Sequence, residues 1–472
     1  MSNYFYRFRS VQRLLGREGE PGELEKLEIY FASPSELNDP LEGYKDIFWS
    51  GDIVVWRNLI RHYSTCLIQQ VFIHFLSSED GDACGEILIH NVAEDLPPKI
   101  QELLAEVNEE LLSLDEVSNY LKNLSELKRQ VRRMELVFHL RSLHSVILAL
   151  VFEKMQAAGI CSEEYASQFY TRKDTYIQYC SKIVEAMKDL EGGDSLGALF
   201  DTIASTMAQS KIISEKKKWP KNWFYLVSEF PERFCSALEL LTHPAWYTAC
   251  FMSECSNSSI WGTYGGNHKG VCLKYKANND SAGNITLPME LPSSWGTGGI
   301  GRSVVPLSFH KIDYEKSFIE IDFFKSLGNL PKAVIDRYWY CDKDEVRSSC
   351  SEGVSTDEWR ARYWSSFIEI VTVKLSDWRF ENEYRLLFYP LMDVSNSENR
   401  KATYKFENLE GMIFGMNTPL QDKLDIIRVV ERLCNKHRRK DFSFYQARYD
   451  SVSKSIVHDK LNHIKLDVED FS

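Results

Sequence analysis

The chain has 472 residues, 44% hydrophobic and 26% charged, long enough for two or three compact units with sizeable cores. Its formal net charge of −12 excludes a protein that coats nucleic acid non-specifically through its whole surface. Its 11 cysteines, an odd number with no C-x-x-C pair, indicate neither a zinc site nor a disulfide framework, and fit packed free thiols in a reducing cytoplasm.

The N-terminal residues Met1-Ser2-Asn3-Tyr4-Phe5-Tyr6-Arg7 carry no apolar h-region and no small-residue cleavage site, so no secretory signal is read there. Residues 4–8 read as a strand, 11–15 as a short helix and 28–32 as a second strand, followed by a turn-rich loop over 33–43. From 53 to 240 the texture is helical. Trp56, Leu59, Ile60, Tyr63 and Leu67 recur at helical spacing, as do Ile100, Leu103, Leu104, Val107 and Leu111. Breaks fall at Pro97-Pro98 and around Gly192-Gly193. The longest apolar run, 136–152, is interrupted by His139, Arg141 and His144. It is too short and too polar to span a bilayer and reads as a buried helix, so no membrane partner is expected.

After Pro244, strand signals return at 246–253 and 270–276, with a turn-rich stretch between them. A strand is expected over 303–314 and helices over 317–340 and 357–375. Residues 378–389, Trp-Arg-Phe-Glu-Asn-Glu-Tyr-Arg-Leu-Leu-Phe-Tyr, read as a strand closed by Pro390, with Glu381, Glu383 and Arg385 sharing one face, either as an edge strand with a Glu–Arg pair or as a functional face. A short strand at 411–414, a helix from Pro419 to about 434 and a strand over 441–449 with a hairpin to 456–460 complete the chain. Fifty N-terminal residues with two strands do not close a core alone. The expected fold is therefore α+β: a split β-sheet core built from residues 1–52 and 241–472, interrupted by an all-α insertion over 53–240.

The residues by themselves leave structural and functional readings open. Arg7 and Arg9 share a strand face and serve as surface cations, as partners of Glu381 and Glu383, or as phosphate ligands. Asn38-Asp39-Pro40 is first of all a turn. Trp261 and Tyr264 have the spacing of core residues. His268 stands in a turn between glycines, and Glu135 with His139 lacks a third ligand, so no metal site is assigned. His139 and His144 read as satisfied core residues. The basic run 435–440 reads as a solvated turn after a helix.

Four landmarks lie in order on the end pieces: Tyr6-Arg7-Phe8-Arg9-Ser10; Leu37-Asn38-Asp39-Pro40-Leu41-Glu42; Trp261-Gly262-Thr263-Tyr264 with His268 and Gly270; and Trp378-x-x-Glu381-x-Glu383-Tyr384-Arg385. Together they resemble a bacterial domain-of-unknown-function family with Y-K/R-Y/F-R, N-D-P-F-E, W-x-x-Y-x-x-x-H-x-G and E-x-E-Y-R motifs, with Leu41 where the family has Phe. The family's layout in turn resembles the ADP-ribosyltransferase fold, a split sheet clasping NAD, found among bacterial toxins and phage-defence effectors. The resemblance implies Glu383 as catalytic carboxylate with Glu381 upstream of it. It implies Tyr6, Arg7, Arg9, Ser10, Asn38, Asp39, Trp261, Tyr264 and His268 as NAD-binding residues, with Arg7 on phosphate or ribose and Tyr264 on nicotinamide.

The chemistry is consistent with those residue types. Cleaving the nicotinamide–ribose bond builds an oxocarbenium-like charge that a carboxylate stabilises. Pyrophosphate needs cationic forks, and aromatic rings stack on nicotinamide. Three readings compete: an ADP-ribosyltransferase or NAD glycohydrolase whose insertion recognises a macromolecular acceptor or defence partner; a non-catalytic nucleotide- or partner-binding sensor; and a metal-dependent nuclease using Asp39, Glu42, Glu381 and Glu383.

Overall fold

β-Formers from both ends of the chain meet in one mixed sheet. The computed structural model describes residues 4–17, 20–76, 86–127, 129–189, 195–218, 220–296, 299–390 and 392–467. The loop expected around Gly192-Gly193 lies outside them. The chain divides into two compact units, one of residues 1–44, 244–318 and 368–472, the other of 45–243 and 319–367. The helical unit thus starts at Lys45 and takes in 319–367, a stretch that the sequence reading had left in the sheet-forming half.

In the α+β unit we number the sheet strands β1 (Tyr4–Arg9), β2 (Glu28–Tyr30), β3 (Tyr247–Met252), β4 (Val271–Lys276), β5 (Ile285–Gly296), β6 (Gly299–Lys311), β7 (Glu383–Phe388), β8 (Lys401–Tyr404), β9 (Leu409–Phe414), β10 (Ser443–Asp450) and β11 (Ser455–Lys460). They lie in the order β11-β10-β9-β4-β1-β3-β7-β6-β5-β8-β2, and a two-residue strand, Asn278–Asn279, adds to β5. Alternation buries both faces. Leu273, Met412 and Phe414 enter one core with Phe5, Phe31 and Phe251. Their neighbours Cys272 and Ile413 enter a second core with Phe8 and Trp261. β9 and β10 run parallel, joined by the helix Leu420–His437.

The sheet splits at one place. β1 pairs with β4 over six residues, and β3 with β7 over six, but β1 and β3 share the single register pair Tyr6↔Met252. Beyond it the two strands part. The chain leaving β2 enters the gap, where Ala32 and Thr248 exchange two backbone bonds of 2.8 Å. That segment closes the far side of a cleft.

Several elements differ from the sequence reading. The second strand ends at Tyr30, and only Ala32 pairs beyond it. The long hairpin β5–β6 was read only in its second arm. Residues 317–340 form a short strand, Glu320–Asp322, and a helix limited to Lys332–Tyr338. Residues 378–389 are not one edge strand: Ser376–Glu381 is a 3₁₀ helix, Asn382 turns left-handed at φ +45°, and β7 lies between two neighbours inside the sheet.

In the helical unit, His144 sits within helix Arg133–Ala157. This is the one helix among the described residues long and apolar enough to cross a membrane, and 83% of its apolar window is buried in the structure.

Candidate functional site

The cleft at the sheet split has a volume of about 420 Å³ and is lined from four directions. β1 brings Arg7 and Arg9, the loop after β2 brings Asn38 and Glu42, β3 brings Thr248 and Cys250, and the chain around β7 brings Glu381 and Glu383. Tyr264 lines it from the end of helix Ser258–Thr263, and Lys374 from the segment before the 3₁₀ helix.

Three carboxylates gather at one end. Lys374 Nζ stands 2.7 Å from Glu381, 3.3 Å from Glu383 and 3.2 Å from Glu42. Arg385, fully buried, reaches Glu383 at 2.8 Å, Glu42 at 2.7 Å and the Val371 carbonyl at 2.8 Å. Glu42 is delivered by a tight loop. Gly43 there sits at φ +67°, and a Cβ at that position would meet the Trp246 ring at 2.7 Å.

The carboxylates are not equivalent. Burial pushes Glu383 up, but Arg385 and then Lys374 outweigh it, so its carboxyl is held below the ordinary range. Cys250 lines the same cleft as Glu383, and burial raises that thiol. The backbone N–H of Glu383 donates to Tyr314 Oη at 3.0 Å. Burial and the repulsion of Glu383 raise Glu381, against the attraction of Lys374. Its partners are Lys374 and the Tyr264 hydroxyl, which donates to Glu381 and accepts from Asn38 Nδ2 at 3.1 Å. Two cations, Lys374 and Arg385, thus face three carboxylates, and Glu381 is the one whose proton affinity is raised.

Arg7 is the opposite case. It is 6% exposed, and its Nη2 donates to the Tyr30 carbonyl at 3.2 Å. Its Nε and Nη1 have no partner. An arginine does not shed its proton, so this is a buried cation with open donors. At the cleft rim Arg9 pairs with Glu23 at 2.9 Å, and Ser10 caps helix Val11–Leu15 through Arg13 N at 3.4 Å.

Of the candidates from sequence, Arg7, Arg9, Ser10, Asn38, Tyr264, Glu381 and Glu383 line this cleft. Four lie elsewhere. Tyr6 packs against the second core. Trp261 is fully buried there, edge-on to Phe8 and bonded through Nε1 to the Cys255 carbonyl at 2.8 Å. His268 sits at φ +64° against Trp261. Asp39 accepts from Leu41 N at 2.9 Å, an Asx turn. Arg7 and Arg9 do not pair with Glu381 and Glu383; Lys374 pairs with both and Arg385 with Glu383. Lys374, Cys250 and Thr248 carried no signal in sequence, because only the chain path brings them to the carboxylates. Comparison with family models, curated proteins and solved structures finds no match to this chain.

Proposed function

We propose that the cleft binds NAD and breaks its nicotinamide–ribose bond, passing ADP-ribose to a macromolecule or to water. The observation that carries this reading is the pairing, within one cleft, of a buried cation with open donors and a carboxylate with a raised proton affinity. Arg7 supplies two N–H groups for the pyrophosphate. Glu383, ionised and held by Arg385, places fixed negative charge beside the ribose, where positive charge develops as nicotinamide leaves. Glu381 takes the proton from the acceptor, a role suited to a carboxyl raised above its ordinary range. Tyr264 offers its ring to nicotinamide and its hydroxyl to Glu381. In this reading the weight of acid–base work moves from Glu383 to Glu381, and the protein works in a reducing cytoplasm as a toxin or defence effector, with its helical unit meeting the acceptor or partner.

A nuclease reading draws less support from the same side chains. Glu42, Glu381 and Glu383 are already gathered on Lys374, and Asp39 is turned to its own backbone. A sensor that binds the nucleotide without reacting would use Arg7 alike.

The test is incubation of the full chain with NAD labelled in its adenylate half, alone and with cell lysate. Free nicotinamide or labelled macromolecule is expected. E381Q and E383Q should each lower turnover by about 100-fold or more while leaving NAD binding within about threefold. Binding without any nicotinamide release favours the sensor; neither binding nor release rejects NAD altogether.

A further inference from the structure

A second reactive group stands in the other core of the α+β unit. Cys272 on β4 and Cys255, in the chain between β3 and helix Ser258–Thr263, are both buried there with Phe8 and Trp261. Both thiols belong to that one cluster, where Cys272 Sγ donates to the Leu273 carbonyl at 3.9 Å. His458 on β11 brings Nδ1 to 3.5 Å from Cys255 Sγ. Lys274, with its ammonium 4.0 Å from the Tyr4 ring, adds positive potential.

This arrangement differs from that of the other buried cysteines. Burial alone pushes Cys66 upward, and burial is the largest effect on Cys235, which is also raised. At Cys255 the neighbouring Cys272 thiol has the largest influence. With His458 and Lys274 it overcomes burial and draws the thiol down to about 6. The same contact raises His458, as an imidazolium–thiolate pair requires.

We propose that Cys255 is a peroxide-reactive thiolate and that Cys272 resolves its oxidised form to a Cys255–Cys272 disulfide, with His458 as the positioning counter-charge. The Cys255 thiolate attacks one oxygen of hydrogen peroxide. An S–O bond forms, the O–O bond breaks, and the departing hydroxide takes the His458 proton to become water. Cys272 gives its proton to His458, and its sulfur attacks the Cys255 sulfur. The S–S bond forms as the S–O bond breaks, and the second hydroxide recovers that proton. The sum is two thiols and one hydrogen peroxide giving one disulfide and two waters. Peroxide is small enough to reach a thiol that is 6% exposed. The site lies close to the cleft in sequence: Asn257, two residues on, caps the helix that ends beside Tyr264.

The test treats the reduced full-length protein with one equivalent of hydrogen peroxide, blocks remaining thiols and maps peptides by mass spectrometry. It needs no NAD, so its failure is separate from failure of the cleft reading. The expected first product is the Cys255–Cys272 disulfide. C272S should instead leave Cys255 as a sulfenic acid captured by dimedone, and H458Q should slow oxidation by about tenfold. Oxidation of half-buried Cys161 or Cys341 ahead of Cys255 in the wild type would overturn the proposal, even if C272S does not fold. An unchanged rate in H458Q would remove His458 from it.

Discussion

His144 in the helical unit and Arg7 in the α+β unit are both basic side chains taken out of water, and they are treated in opposite ways. His144 has a partner on each ring nitrogen, Tyr63 Oη at 2.7 Å and the Leu226 carbonyl at 2.8 Å. Burial lowers its pKa to about 4, so it sits neutral with nothing left over. Arg7 keeps its charge, makes one bond to a carbonyl and leaves Nε and Nη1 open. Burial that serves folding ends with its polar atoms satisfied. Burial that leaves donors open beside a cleft lowers stability and prepares a binding site. Arg385 lies between the two: a buried cation, like Arg7, but with each end of its guanidinium engaged.

The strongest way to break this comparison is to remove the satisfied cation. R385M leaves Glu42 and Glu383 short of their partner in a buried place and should cost about 3–5 kcal/mol in urea unfolding of the α+β unit. A loss under about 1 kcal/mol would mean that Lys374 alone neutralises the cluster. The next effect belongs to the helical unit. Y63F removes the hydroxyl from His144 Nδ1 and should cost about 1–3 kcal/mol, with nicotinamide release unchanged.

The two units should also fail at different pH. His144 and His62 are both drawn down to about 4 by burial, from an ordinary 6.5. A group with a lowered folded pKa contributes stability above its unfolded value and loses it as pH falls through the folded one. The helical unit therefore weakens between pH 6.5 and about 4. Glu383, lowered from 4.5, acts in the same sense only below the carboxylate range. Glu381 is raised, so its contribution has the opposite sign and is lost as pH climbs through its folded value. Hydrogen exchange followed peptide by peptide at pH 7 and pH 5 should show the helices around His62 and His144 losing protection while β3 keeps its own; β7 stands outside this contrast, because His310 of β6, opposite Arg385, is likewise lowered by burial.

Much of the scaffold was legible because its signals are local. Aromatic alternation marks β1, Ser10 caps the helix after it, and Pro419 starts the helix that ends at His437. The hairpin of β10 and β11 follows from two short alternating runs. What escaped depends on tertiary placement. Pro288, Pro292 and Pro306 argue against sheet strands, yet Pro288 and Pro306 stand opposite one another in the β5–β6 register, so their missing donors fall on one rung. Asn382 does signal a left-handed turn, but an unbroken alternation hides it, and the edge-strand reading of Glu381 with Glu383 rested on that alternation. The carboxylates still converge, because a 3₁₀ helix and a strand meeting at Asn382 both face Lys374. That lysine, seven residues before Glu381, lies outside the 3₁₀ helix that carries Glu381, so no one element's period links the two.

The smallest expected effect on stability is also the most discriminating. R7M replaces the guanidinium with an apolar side chain of similar length that keeps packing near Phe251, whose ring centre is 5.5 Å from Arg7 Cζ. The substitution removes a buried charge with two unanswered donors and gives up one bond to the Tyr30 carbonyl. These terms oppose each other, so unfolding free energy should stay level or rise by up to about 1 kcal/mol. NAD affinity, by contrast, should fall by about 10- to 100-fold, the worth of charge-assisted bonds to pyrophosphate, as read by calorimetric titration. Stability falling together with affinity would make Arg7 a structural cation like Arg385. Stability held while affinity drops is what a donor kept open for a ligand predicts.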